Sequence, residues 1–356
     1  MKTTKWGTGY FFALAIGLAI AIGLGFAINA QVNHGSVGTG KVRDLKAADY
    51  ELSGPYTHKN LTVFLIRGPE KIAGRSFLTL QEALDQKKVI VFETESVNEL
   101  AIQNLAKEDV YVQSGDIVKG GQQDRMLAVD LIVPAKSGKI PIAAFCVESG
   151  RWTKRGNEQA ATFASSSEVA ATKDLKLAAK VANSQGAVWQ NVTVTQDKLS
   201  ANVGERVNSA RSESSLQLAV ENRKVRESVE GYTKELSPIV KTKDNVIGYV
   251  FAINGKVNSA DVYASTALFL KLWPKLLKAS AIEAIAELQK DLKFEPLPEA
   301  DVRTFLAESE DGVASEKEVT ARVRLVMREN KQSVFFETRD VAGEDAWVHR
   351  NYIKKN

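Results

Sequence analysis

One cysteine, three histidines and almost no excess charge set the first limits on this 356-residue chain. With Cys146 alone, no intramolecular disulfide can form, so any fold must be held by its core. The histidines, His34, His58 and His349, lie far apart, and no Cys/His cluster has the spacing of a zinc site. The net charge is only +4, and the first 30 residues carry Lys2 and Lys5 and no acid, so the remainder keeps +2. That is too little for the clustered basic face that nucleic acid requires, and nucleic acid is excluded as the expected partner. No P-loop is present, because "GDIVKGG" lacks both its spacing and its GK[ST] ending. No residue pattern names a cofactor or a metal.

The clearest feature present is at the N-terminus. After Lys2 and Lys5, the run "YFFALAIGLAIAIGLGFAI" is 19 residues without a charge, followed by small residues at Ala27 and Ala30. This reads as a secretory signal over residues 1–30, or as an uncleaved anchor over residues 10–28, since the run is just long enough to span a bilayer. Positive charge on its N-terminal side sends the rest across, so either reading expects an extracytoplasmic body, membrane-associated if the segment is retained. Glycine and polar residues over 31–48 read as a linker.

From residue 49 to 353 the pattern predicts a single large α+β body, with antiparallel or mixed sheet. The part from 58 to 152 is strand-rich: "NLTVFLI", "KVIVFETE", "DVYVQSG" and "KIPIAAFCVESGRW" carry β-branched and aromatic residues between short polar turns. Between the first two, "TLQEALDQKK" predicts a short helix with Thr79 as cap and Glu82 three residues on. The Ala/Ser/Thr-rich stretch 157–172 is weakly patterned and reads as a mobile excursion. The part from 173 to 353 is helical and mixed. It opens with a short helix at "KDLKLAAKVANSQ". A long helix from about 203 to 236 follows, with a thin apolar stripe at Val207, Leu218, Val225, Val229 and Tyr232. Asn254-Gly255 between two apolar runs signals a hairpin. A helix after residue 264 contains Pro274, and strands at the C-terminus follow, two of them turned at Glu329-Asn330-Lys331. Asn60-Leu61-Thr62 fits a glycosylation pattern for a eukaryotic secretory route.

Two stretches carry candidate chemistry. In "GDIVKGGQQDR", Gly120 and Gly121 permit positive φ and a backbone nest for an anion. Lys119 and Arg125 flank them, Arg125 suits bidentate contact with carboxylate or phosphate, and Gln123 adds specificity. Asp116 and Asp124 serve there to orient the bases or hold a cation. In "FCVESGRW", Arg151 and Trp152 either bind an anion and stack on a ring, or form an ion pair with Glu148 under an aromatic cap. Cys146 would need a nearby base to act as nucleophile and reads as buried and inert. Glu93 and Glu95 read as a solvated strand edge. A plain hairpin turn with a salt-bridged rim is the alternative to a functional loop.

These segments, with "FLTLQEAL", "IPIAAFCVESGRW" and "GYVFAINGKVNSADVYASTALFLKLWPKLLKASAIEA", occur in an order that resembles a known domain family over roughly residues 50–290. The family is named for its association with ADP-ribosylglycohydrolases and rhodanese-phosphatases. The resemblance implies company with enzymes that handle ADP-ribose and phosphoesters, and transfers no catalytic residue. The expectation is a small anionic ligand, with ADP-ribose- and nucleotide-like molecules among the candidates, held by Lys119, Gly120, Gly121, Gln123, Arg125, Arg151 and Trp152. A hydrolase with Glu148 or Asp124 as general base, and an interaction domain at the membrane surface, stand as alternatives.

Overall fold

The computed structural model describes residues 46–355 apart from Ala73 and Pro296, and the segment expected to be a signal or anchor and most of the expected linker lie outside the described residues. Among the described residues no helix is long and apolar enough to cross a membrane.

The body opens with β1 (Glu51–His58) and β2 (Leu61–Arg67), an antiparallel pair. Short β3 (Phe77–Thr79) runs into α1 (Leu80–Asp85). The Thr79 hydroxyl accepts from the Glu82 amide and the Glu82 carboxylate accepts from the Thr79 amide, the reciprocal cap that the sequence predicts. Next come β4 (Val89–Phe92), β5 (Glu99–Asn104), β6 (Asp109–Val112) and β7 (Asp116–Gly120). They are followed by β8 (Arg125–Leu127), β9 (Leu131–Val133), β10 (Ile140–Cys146) and β11 (Phe163–Ala170). The middle holds α2 (Lys173–Lys180), α3 (Gln185–Val203), α4 (Leu216–Val220) and α5 (Arg223–Leu236). Hairpin β12 (Val246–Ile253) and β13 (Lys256–Tyr263), then α6 (Thr266–Ala286) and α7 (Glu299–Glu310), lead to four strands. These are β14 (Val313–Glu318), β15 (Val323–Glu329), β16 (Ser333–Asp340) and β17 (Ala346–Lys354).

Among the described residues the strands form an α+β fold of three sheets. The largest has the order β1-β2-β12-β13-β17-β16-β15-β14 and is antiparallel throughout. The second, β11-β7-β8-β10-β5-β4, is also antiparallel, and the third, β3-β6-β9, contains a parallel pair, β3 with β6. β12 is buried along its whole length, with α6 packed against it. Tyr249 of β12 meets Trp273 of α6 edge-on at 5.3 Å. Each such aromatic contributes roughly 1.5–3 kcal/mol by leaving water. Asn254 and Gly255 join β12 to β13 with φ of 53° and 72°, the left-handed pair this tight turn requires.

Three local expectations are corrected. The stretch 157–172 is no free excursion, because Phe163–Ala170 is β11 and pairs with β7 as Phe163↔Gly120 and Ala164↔Lys119. Its backbone finds a partner strand that its small side chains do not announce. The long helix is broken: Gly204, at φ 79°, ends α3, and no α-helix resumes until Ser215 caps α4 and Asn222 caps α5. Ser215 accepts from the Leu218 amide and Asn222 from the Lys224 amide, so two polar caps compete successfully with continuation. Asn60 is buried, and its amide donates to Asn254 Oδ1 at 3.0 Å and to the Ala284 carbonyl at 2.8 Å, which leaves it no room for a glycan.

A buried arginine–carboxylate centre as candidate functional site

The two quoted stretches meet because β8 pairs with β10, setting Arg125 opposite Cys146. The turn between β7 and β8 and the chain leaving β10 then lie together, and both are largely buried. Gln123, Asp124, Arg125, Cys146 and Glu148 are fully enclosed.

Within the turn, the two glycines are required sterically. Gly120 has φ 125° and Gly121 φ 54°, and a Cβ on Gly121 would lie 2.3 Å from the Phe163 ring and 2.7 Å from the Glu93 carboxylate. Three of the turn's amides are already used. Gly120 donates to Asp124 Oδ1 (3.1 Å), Gly121 to the Gln159 carbonyl (3.0 Å) and Gln122 to Glu93 Oε2 (3.1 Å). The nest predicted for an external anion thus cradles the chain's own carboxylates.

Two arginines hold the acid pair Asp124 and Glu148. Arg151 Nη2 meets Glu148 Oε2 at 2.7 Å and lies 3.7 Å from Asp124 Oδ1. Its guanidinium also donates to the Gly120 and Gly121 carbonyls. Arg155 grips Asp124 with two nitrogens, at 3.0 and 3.1 Å, and reaches Glu148, Ser215 and Glu158. The two acids are pushed apart. Burial and then the Glu148 charge raise the Asp124 pKa. For Glu148 burial acts upward too, but Arg151, together with hydrogen bonds from the Ser212 side chain and the Asp124 amide, outweighs it and the value ends below the ordinary one.

Arg125 occupies a different corner. Its Nη1 contacts Cys146 Sγ at 2.8 Å and Gln123 Oε1 at 3.3 Å, and Nη2 lies 3.6 Å from Glu93. Burial raises the Cys146 pKa, so this is a protonated thiol with no histidine beside it. His349 is instead bound between Asp130 and Asp261.

Of the residues expected here, Gly120, Gly121, Gln123, Asp124, Arg125, Glu148 and Arg151 are assembled. Lys119 points to the outer side, where it pairs with Glu221 at 2.6 Å. Trp152 is 48% exposed. Asp116 sits at the far end of β7 and pairs with Lys275 at 2.7 Å. Glu93 is corrected: its side chain is 4% exposed and faces Arg125, while Glu95 is exposed. Arg155 and Ser215 were not anticipated. Arg155 stands four residues past Arg151, but nothing local shows that it folds back onto Asp124, and Ser215 lies 91 residues from that acid. Among the described residues no group of three or more His, Cys, Asp or Glu is placed to hold a metal ion.

The fold and this centre define the class: an antiparallel α+β domain built around a buried arginine–carboxylate cluster. The family model for the ARG and Rhodanese-Phosphatase-superfamily-associated Protein domain matches residues 49–353, and the chain belongs to that family. No curated protein and no solved structure matches the chain.

Proposed function

We propose that this domain binds a small ligand through carboxylate or phosphate oxygens at Gln123, Arg125 and Arg151, on the far side of the membrane that its N-terminal segment addresses. The observation that carries this is a set of buried nitrogens without a hydrogen-bond acceptor: Gln123 Nε2, Arg125 Nε and Arg151 Nε, with Arg125 Nη2 held only by a 3.6 Å ion pair to Glu93. An unsatisfied buried donor costs about 1–3 kcal/mol. Every one of these groups donates, so the missing partner is an acceptor. Half-exposed Trp152, next in sequence to Arg151, offers a face on which a ring can stack. The family's name, with its reference to enzymes of ADP-ribose chemistry, makes ADP-ribose and nucleotides the first ligands to try. Lys2, Lys5 and the 19-residue apolar run support export.

Charge balance shapes the ligand. Arg125, Arg151 and Arg155 already face Glu93, Asp124, Glu148 and Glu158. An entering anion therefore favours a proton on Asp124, whose pKa is already raised, and affinity should grow as pH falls. A hydrolase is the second reading, favoured by one observation: adjacent acids with pKa values driven in opposite directions, as acid–base pairs have.

Thermal unfolding of the full-length chain with ADP-ribose, nucleotides, sugar phosphates and simple carboxylates tests the proposal. Gln123→Ala and Arg151→Ala are measured alongside. A ligand that raises the melting temperature of the parent but of neither folded variant is the expected result. No response to any ligand overturns it, and product formation lost in Glu148→Gln selects the hydrolase.

A further inference from the structure

A cleft of about 280 Å³ opens where the turn between β12 and β13 meets the first turn of α2, the later half of α3 and the C-terminal end of α6. It is at the small end of ligand pockets and suits a ligand of a few heavy atoms. Its walls are tied together. Asn254 Nδ2 donates to the Glu287 carbonyl at 2.7 Å, and Lys198 pairs with the Glu287 carboxylate at 2.5 Å.

An irregularity in β13 shapes one wall. Phe251 pairs with Ser259 and Ala252 with Val257, so Asn258 is an extra residue with no opposite number on β12. Its side chain reaches α6, where Nδ2 donates to Glu283 Oε1 at 2.8 Å. Glu283 Oε2 accepts from the Lys173 amide at 3.3 Å. Asn258 lines the cleft, is only 5% exposed, and its buried Oδ1 has no donor. Turning the amide over does not cure this at pH 8. Burial raises the Glu283 pKa to about 7, and above that value the group is a carboxylate that can only accept, so Nδ2 must face it.

The charges around the cleft pair off with one couple left over. Glu287 is matched by Lys198, and Glu283 feels the Lys173 charge. Asp174 of α2 and Lys256, the first residue of β13, also line the cleft. Neither of these two side chains has a hydrogen bond or ion pair among the described residues. The Asp174 charge acts on Glu283, the partner of Asn258. A purely anionic ligand would satisfy Lys256 and be repelled by Asp174, and a purely cationic one would do the reverse. A molecule that carries both charges satisfies both, and its ammonium brings three donors, one of which answers Asn258 Oδ1.

We propose that this cleft binds a free amino acid, with its ammonium against Asp174 and Asn258 Oδ1 and its carboxylate against Lys256. The site shares no residue with the arginine centre.

Calorimetric titration of the full-length chain at pH 8 with glycine, alanine, serine, glutamine and leucine tests this. Acetate and ethylamine, which carry one of the two charges each, run beside them. The expected result is saturable binding of at least one amino acid. Acetate and ethylamine should each bind at least about tenfold more weakly, because each lacks one charge-assisted contact. Lys256→Met and Asp174→Asn remove the two protein charges in turn. Each variant should melt within about 2 °C of the parent and bind the amino acid about tenfold more weakly or worse. Absence of amino-acid binding overturns the proposal. So does acetate or ethylamine binding as tightly as the best amino acid, or undiminished binding in either variant.

Discussion

Asp124 and Arg155 face each other as a two-point pair, Oδ2 to Nη1 at 3.0 Å and Oδ1 to Nη2 at 3.1 Å, with the acid fully buried and the arginine only 6% exposed. Such a pair returns little net stability while intact, yet removing one member strands the other. Arg155→Ala leaves Asp124 and Glu148 side by side with only Arg151 between them. The expected loss is about 3–5 kcal/mol in denaturant unfolding. Asp124→Asn with Arg155→Met, which removes both charges, should recover most of it. A single-variant loss below about 1 kcal/mol would show that water reaches the pair.

Glu283 gives a pH signature. Burial raises its pKa to about 7, against the hydrogen bond from Asn258 that pulls the other way. Because the folded value lies above the unfolded one, the native state binds the extra proton. Stability from this group is complete below about pH 4.5 and is lost as pH rises through about 7. The difference corresponds to about 3 kcal/mol. Glu283→Gln mimics the protonated form, and the buried, unpartnered Asn258 Oδ1 can accept from the new amide if Asn258 turns over. We expect the variant to be more stable than the parent at pH 8 and equal to it at pH 4. Equal pH profiles would place a neutralising cation at Glu283.

Gly121 and Gly150 separate strain from crowding. Both have positive φ, 54° and 78°, but a Cβ meets Phe163 and Glu93 at Gly121 and nothing within 4 Å at Gly150. Alanine at Gly150 should cost roughly 1 kcal/mol, the conformational cost alone. At Gly121 overpacking adds about 1–3 kcal/mol. Melting curves of the two variants give the comparison, and equal losses would mean that the Phe163 ring moves aside freely.

Cys146 should resist thiol reagents in the native state. Its sulfur is enclosed, and burial keeps it protonated. The rate of iodoacetamide labelling is expected to match the rate of global unfolding. Labelling much faster than unfolding would reveal a local opening of the strand end.

What was legible in the sequence is what short-range chemistry decides. Thr79 with Glu82, Asn254 with Gly255 and the apolar run through Pro274 each specify an element within a few residues, and each forms as expected. The two stretches meant for the site also converge. What escaped depends on distant partners. β11 is a strand because β7 lies beside it, and Glu93 is buried because Arg125 comes to it from 32 residues away. Arg155, the tightest holder of Asp124, sits in a stretch whose local pattern is plainly that of a surface loop. The anion nest was sound as local geometry. Its occupants are Asp124 and Glu93, which only the folded chain brings to it.

The largest sheet ends at β14, whose six residues are all exposed and include Glu316, Lys317 and Glu318. A bare strand edge is a template on which a further chain can lay down its own strand, and repetition of that step makes a fibre. Charged side chains at half the positions make each such addition shed tightly held water, so growth from this edge is discouraged at its first step. The protein thereby keeps a long antiparallel sheet without offering its β14 margin as a seed.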